Sequence, residues 1–423
     1  MHHFAYRNGV MHCEDVSLEA IAREVGTPCY VYSDATLRRH YNVLADAFAR
    51  KDILIAYAVK ANSNLGVIAT LASLGAGADV VSGGELMRAM EAGVPADRIV
   101  FSGVAKTADE MKLGLERGIH QFNVESRPEL LRLSEVASAM GKRAPVAFRV
   151  NPHVEAGGHA HISTGTPETK FGIAWHEAEE FYAEALKLPG VDPVGVSVHI
   201  GSQIMRIEPL RAAWEKVVSL ARRLRERGVP ISRVDFGGGL GVPYTEKDDP
   251  DPPSTYAKQA REVLGDLDVQ LIFEPGRLIA GNAGVLISKV EYVKERDGRT
   301  FVVLDAGMND LLRPALYSAY HEVLPVKAPD SPEKQPVDLV GPICESTDRF
   351  AKDRPMPPLK EGDLVAFMTA GAYGATLSSQ YNSRPLVAEA LVRGDACAVV
   401  RRRPTFEEMI ALERAPDWIA QGR

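Results

Sequence analysis

Residues 53–102 read ILIAYAVKANSNLGVIATLASLGAGADVVSGGELMRAMEAGVPADRIVFS, and they carry one theme through two full cycles. An apolar run, Ile53 to Val59, gives way to a polar break and then to a stretch of helical spacing that stops at Gly75. The cycle restarts at Ala78 and again at Arg98. Short, continuously apolar runs fit strands buried on both faces, as in a parallel sheet whose crossovers are helices. Moving outward, the theme continues to about residue 275, with runs at 53–59, 78–82, 98–102, 120–124, 145–150, 194–200, 233–237 and 269–274. Thr107/Glu110 and Ser126/Glu129 have the spacing of capping boxes, and Gly75, Gly93, Gly118, Gly141 and Gly228 stand where helices end. A doubly wound open sheet shows the same alternation. Eight β/α units in roughly 225 residues point instead to an α/β chain built on a (β/α)8, TIM-like barrel.

Beyond Gly281 the texture changes to strand-like segments without long helices between them: VLISKVEYV, TFVVLDAG, VDLVGPICES, DLVAFMTAG and ALVRGDACAVVRR. These predict a C-terminal antiparallel β-domain. The expected division is an N-terminal segment over 1–24 that packs with the β-domain, a barrel over 25–280, and the β-domain over 281–423.

A chain of 423 residues, 45% hydrophobic and 25% charged, is of ordinary globular composition. Its net charge of −7 offers no basic field for phosphate backbones, so nucleic acid is not an expected partner. The opening MHHFAYRNGVMHCEDV lacks the apolar core of a secretory signal, and no apolar run approaches the length of a membrane span. The expectation is a cytoplasmic protein without a membrane partner. Cys13, Cys29, Cys344 and Cys397 form no C-x-x-C pair, and His2, His3 and His12 lack neighbouring ligands, so neither disulfides nor a metal site is expected.

Barrel enzymes place their chemistry at the C-terminal ends of the strands. Those ends hold Lys60, Ser82, Ser102, Asn123, Glu125, Arg149, Asn151, His199, Ser202, Gly237-Gly238-Gly239, Glu274, Gly276 and Arg277. A lysine closing a strand is more often a surface residue with a buried stem. At a barrel mouth it is expected to be desolvated, with a neutral amine able to attack an aldehyde. The glycines after the seventh run and Gly276-Arg277 after the eighth lie where barrels hold phosphate, although a plain tight turn reads the same way. Glu274 ends a buried strand and needs a cationic partner. A protonated pyridine nitrogen supplies one, and Arg277 is the ordinary alternative. His199 has several readings, the commonest being structural, and Cys344 taken alone reads as a small buried hydrophobe.

In combination, YAVKAN around Lys60, HIGSQ from His199, GGGLG through Gly239 and EPGR from Glu274 resemble the fold-type III pyridoxal-phosphate decarboxylases. Five further segments narrow the resemblance to the branch acting on meso-2,6-diaminopimelate: HISTG (161–165), KFGI (170–173), MNDLLRPALY (308–317), GPICES (341–346) and AGAYG (370–374) with YNSRP (381–385). The similarity runs in order from about residue 25 to 403, loosest over 375–389.

The resemblance implies an alanine-racemase-like barrel and pyridoxal 5'-phosphate bound to Lys60 as a Schiff base. His199 would lie on the ring, with Glu274 at its nitrogen. Ser202, Gly238, Gly239, Gly276 and Arg277 would surround the phosphate, Arg277 also facing substrate. Arg313, Tyr317 and Glu345 would grip the substrate's far end, and Tyr373 would contact both cofactor and substrate. Cys344 would donate the proton. Cys344 and Glu345 would reach the neighbouring subunit's site, which implies an obligate homodimer acting on a small amino acid. The alternatives are a decarboxylase of lysine, ornithine, arginine or a carboxylated polyamine on the same fold, a racemase, or a non-catalytic regulator.

Overall fold

The computed structural model describes residues 2–48, 53–155 and 170–420. HISTG (161–165) lies outside the described residues. Two compact units are present, Asp34–Gly281 and a second made of Met1–Ser33 with Asn282–Arg423.

The first unit is a closed barrel. Its strands are β1 (Ile53–Ala58), β2 (Gly77–Val80), β3 (Ile99–Phe101), β4 (Gln121–Val124), β5 (Ala144–Asn151), β6 (Val191–Ser197), β7 (Arg233–Asp235) and β8 (Gln270–Phe273). Each pairs with its neighbours in parallel, and β8 returns to β1 with Leu271 opposite Ile53. All eight expected strands are present within a few residues of their predicted bounds. They read as unbroken apolar runs because both faces are covered: every residue of β2, β3 and β4 is buried.

Helix Glu208–Glu226, which follows β6, shows how the outer layer attaches. Leu210, Ala213, Trp214, Val217, Leu220, Ala221 and Leu224 are buried at helical spacing. The Trp214 ring stacks on Phe236 at 4.9 Å and meets Tyr256 edge-on at the same distance. Its indole N–H donates to the Phe236 carbonyl at 3.2 Å. This packing fixes the residue from which the chain enters the glycine turn after β7.

The Thr107/Glu110 capping box forms with both reciprocal bonds. The expected box at Ser126 does not. Ser126 Oγ accepts the Glu129 N–H at 3.4 Å, but the Glu129 carboxylate takes the Glu125 N–H at 2.9 Å and the buried Lys106 ammonium at 2.6 Å. A buried ammonium binds a carboxylate more strongly than a helix-end amide does, so it wins the side chain.

In the second unit, strand Gly284–Arg296 pairs antiparallel with Cys29–Ser33, Arg299–Leu304 and Leu364–Phe367. The sheet is mostly antiparallel. Two pairs run parallel, Cys29–Ser33 with Ala388–Arg393 and Arg299–Leu304 with Gln335–Val340. The expected barrel start at residue 25 therefore falls too early, because residues 29–33 belong to this sheet. Cys29 and Val31 pack into the core formed with Val285, Ile287, Ala366, Ala388 and Ala390. On the opposite face Tyr30 donates to the Asp310 carbonyl at 2.7 Å. Near the N-terminus, Met11 N–H donates to Val326 O at 2.7 Å within the same unit. Among the described residues no helix is long and apolar enough to cross a membrane.

Candidate active site

At the barrel mouth Lys60 sits in a single helical turn, Val59–Ala61, directly after β1. Its Nζ donates to Asp79 Oδ2 at 2.6 Å, and the side chain is 36% exposed. This differs from the expected desolvated amine: Asp79, a buried aspartate within β2, holds the ammonium as an ion pair. Asp79 is fully buried, and its other oxygen, Oδ1, has no partner among the described residues.

Two more carboxyl groups converge here. Glu274 follows β8 and Asp235 ends β7, and the two buried carboxyl groups lie side by side around the Asn123 amide. Burial, then the charges of Asp235 and Asp79, push the Glu274 pKa well above the ordinary carboxylate value. Asp235 is also raised, first by burial. The direction is what two touching, desolvated acids require, since both cannot be ionised cheaply. Asn123 Nδ2 ties the pair together, at 2.9 Å to Asp235 Oδ2 and 3.2 Å to Glu274 Oε1. Ser102 Oγ adds a bond to Glu274 at 3.3 Å, and Gly237 N–H one to Asp235 at 2.9 Å. Asp79 thus pairs with Lys60 while the neighbouring acids Asp235 and Glu274 resist ionisation, a site that a cationic ligand would stabilise.

His199 Nδ1 accepts the Gly238 N–H at 3.3 Å, so that nitrogen carries no proton. Burial and the cations Arg149 and Lys60 hold the ring's pKa well below the usual histidine value, which leaves a flat, neutral face. Arg149 donates to the His199 carbonyl at 3.3 Å and pairs with Glu125 at 3.2 Å. Arg277 does not take the Glu274 carboxylate. It donates to Ser202 Oγ at 3.3 and 3.4 Å and to the Tyr244 hydroxyl at 2.7 Å.

The glycine turn is required sterically. Gly237 and Gly239 have φ of +67° and +114°, and a Cβ on Gly238 would lie 2.2 Å from the Glu274 carbonyl oxygen. A Cβ on Gly276 would lie 2.9 Å from that of Ala61. Only glycines let the exits of β1, β7 and β8 approach so closely.

The second unit carries the remaining expected residues. Arg313 is buried and opens the short helix Arg313–Tyr317. Its Nη1 contacts His321 Nε2 at 2.8 Å, while His321 Nδ1 lies 2.9 Å from Met368 O. A carbonyl can only accept, so Nδ1 carries the proton and Nε2 accepts from the guanidinium. Tyr373 has φ +56°, a left-handed conformation that costs a non-glycine residue about 1–3 kcal/mol. Cys344 and Glu345 are exposed on one loop, and Tyr381 donates to Glu345.

Asp79, Asp235, Tyr244 and His321 were not expected from the sequence. The aspartates are acids placed inside otherwise apolar runs, Asp79 in 78–82 and Asp235 in 233–237, and that interruption was the signal that could have found them. His321 stands four residues past the MNDLLRPALY motif, and Tyr244 lies in a loop with no distinguishing pattern.

A lysine, a neutral histidine and a glycine turn gathered at the mouth of a closed (β/α)8 barrel define a pyridoxal-binding barrel. The family model of the pyridoxal-dependent decarboxylase, pyridoxal binding domain, matches residues 34–281. The diaminopimelate decarboxylase of Pseudomonas fluorescens is 49% identical over 413 residues, covering 97% of this chain and 98% of that one. The crystal structure of the Helicobacter pylori diaminopimelate decarboxylase complexed with L-lysine has a TM-score of 0.89 at 41% identity, covering 93% of this chain and 98% of that one. That of the M. jannaschii enzyme in co-complex with L-lysine has a TM-score of 0.92 at 38% identity, covering 98% of each chain. The chain belongs to the diaminopimelate decarboxylase family of pyridoxal-dependent decarboxylases.

Its cofactor is pyridoxal phosphate, and the mouth fits that group. The surplus of buried carboxyl groups and the unpartnered Asp79 oxygen suit a protonated ring nitrogen. The neutral His199 suits a flat ring, and the glycine turn with Arg277 suits a phosphate.

Proposed function

We propose that the chain converts meso-2,6-diaminopimelate to L-lysine and carbon dioxide, the last step of lysine biosynthesis, in the cytoplasm and as an obligate homodimer. Lys60 would hold the cofactor through its Nζ, and Asp79, which pairs with that nitrogen as an ammonium before the cofactor is attached, would keep the side chain at the barrel mouth. His199 lies against the ring, Glu274 meets its nitrogen, and Ser202, Gly238, Gly239, Gly276 and Arg277 receive the phosphate. Arg277 also faces substrate, and Tyr373 contacts substrate and cofactor. When bound, pyridoxal phosphate supplies a ring that spreads the electron pair left as carbon dioxide departs. The Cα–carboxylate bond breaks, and the Cys344 thiol delivers a proton to form the new C–H bond. Its thiolate then regains a proton from water. Cys344 and Glu345 serve the neighbouring subunit's site.

The observation that carries the substrate is the buried Arg313 held by a neutral His321. The far end of diaminopimelate is itself an amino acid. A fixed guanidinium receives its carboxylate, and Glu345 receives its ammonium. Lysine and ornithine lack the distal carboxylate and do not need the arginine. Turnover of meso-diaminopimelate, L-lysine, L-ornithine and L-arginine should therefore be compared in the wild type, Arg313→Ala and His321→Leu. Both substitutions should raise KM for diaminopimelate, by about 10–100-fold for Arg313→Ala, with less change in kcat. Retained activity of Arg313→Ala on diaminopimelate would favour a decarboxylase of a simpler basic amino acid.

A further inference from the structure

The segment Tyr381-Asn382-Ser383-Arg384-Pro385 stands apart from the residues assigned above to cofactor and substrate. Asn382 and Ser383 both adopt left-handed backbone, with φ of +54° and +55°. Asparagine visits that region readily and serine does not, so two in succession persist only where the surroundings impose them. Arg384 supplies the anchor. Its Nη2 donates to Asp305 O at 2.7 Å, and its backbone N–H to Tyr381 O at 3.3 Å.

The turn so fixed directs two side chains at one loop. Asn382 Oδ1 accepts the backbone N–H of Cys344 at 3.1 Å, and the Tyr381 hydroxyl donates to Glu345 Oε1. The other Glu345 oxygen accepts from Thr347 Oγ1 at 3.2 Å, so both carboxylate oxygens are held. Asp348 secures the same loop beneath, accepting the N–H groups of Ile343 and Met308 at 2.6 Å each. The bond to Glu345 is the first cause that pushes the Tyr381 phenol above its ordinary pKa. Tyr381 and Asn382 are themselves exposed, so folding gains little from them.

We propose that Tyr381 and Asn382 are positioning residues for this reaction: Asn382 fixes the backbone that carries the Cys344 thiol, and Tyr381 fixes the rotamer of Glu345. The proposal rests on the reading of Cys344 as proton donor and Glu345 as receptor for the distal ammonium. A proton delivered to carbon demands close placement of the donor, and a carboxylate free to rotate presents its oxygens to the ammonium only part of the time. The two residues should therefore act on different kinetic constants.

Steady-state kinetics on the holoenzyme test this with Tyr381→Phe, Asn382→Gly and Asn382→Asp, together with Glu345→Gln and the double variant Tyr381→Phe/Glu345→Gln. Glycine preserves the left-handed backbone while removing the acceptor, whereas aspartate keeps the acceptor. Tyr381→Phe should raise KM for meso-diaminopimelate by about 3–10-fold with kcat nearly unchanged. Asn382→Gly should lower kcat by about 10-fold, with Asn382→Asp restoring most of it. Far-UV circular dichroism melts of the single variants should match the wild type. In the double variant the effect of Tyr381→Phe should largely vanish, because the negative charge it positions is gone. Fully additive effects of Tyr381→Phe and Glu345→Gln, or equal kcat in Asn382→Gly and the wild type, would overturn the positioning roles alone. An unchanged KM in Glu345→Gln would overturn them together with the assignment of Glu345.

Discussion

Lys60 directly follows β1 and Lys106 lies in the loop between β3 and its helix, and their surroundings separate their roles. Lys106 has a fully buried side chain, with its ammonium bound to Gly103 O at 2.8 Å, Asn123 O at 2.7 Å and Glu129 at 2.6 Å. Its three protons are all committed. Lys60 is partly exposed and paired with an aspartate that retains a free oxygen. Borohydride reduction of the holoenzyme followed by peptide mapping should place the pyridoxyl group on Lys60; its appearance on Lys106 would contradict the assignment. Lys60 was legible because it ends an apolar run. Its pairing with Asp79 was not, since nothing in the sequence says which of several strand-end acids a lysine will meet across a barrel. Asp310 offers a second test, because burial raises its carboxyl to about 6. A raised acid is stabilising below its unfolded value, and that contribution is lost as pH rises from about 4 to 6, an amount on the order of 3 kcal/mol. Denaturation of Asp310→Asn against the wild type should show this pH-dependent difference over that window. Parallel curves would mean that Asp310 titrates normally.

Among the elements, the turn after β7 has the strictest geometry. Gly238→Ala drives a methyl into the Glu274 carbonyl, backbone against backbone, and neither can yield without moving β8. The expected result is a loss of about 1–3 kcal/mol of stability and at least a tenfold weaker uptake of pyridoxal phosphate, read by melting and absorbance titration. Gly228→Ala is the control: its φ is +82° but open space surrounds it, so uptake should match the wild type. The eight strands were legible because burial on both faces leaves a continuous apolar signature. The strand Cys29–Ser33 is equally apolar and carries no sign that it pairs outside the barrel. The Ser126/Glu129 spacing was a true cap signal diverted by Lys106, a residue 23 positions from Glu129 along the chain. Local patterns predict elements well, and long-range partners decide which side chains complete them.

At the scale of the whole molecule, the two parallel pairs in the second sheet were not legible, because strand direction there depends on connections that apolar runs do not encode. The homodimer is likewise a reading of resemblance, and it makes a quantitative prediction. Lys60→Ala and Cys344→Ala should each be nearly inactive. Unfolded together and refolded, they should regain about a quarter of wild-type activity, since half the dimers are mixed and each mixed dimer has one complete site. No recovery would mean that Lys60 and Cys344 act within one chain. The most direct measurement is stoichiometric: holoenzyme incubated with meso-2,6-diaminopimelate, with carbon dioxide and L-lysine counted against substrate consumed. One of each should appear per substrate lost, faster than from ornithine, arginine or lysine, and none with Lys60→Ala. Absence of carbon dioxide, or faster turnover of a simpler basic amino acid, would contradict the assignment.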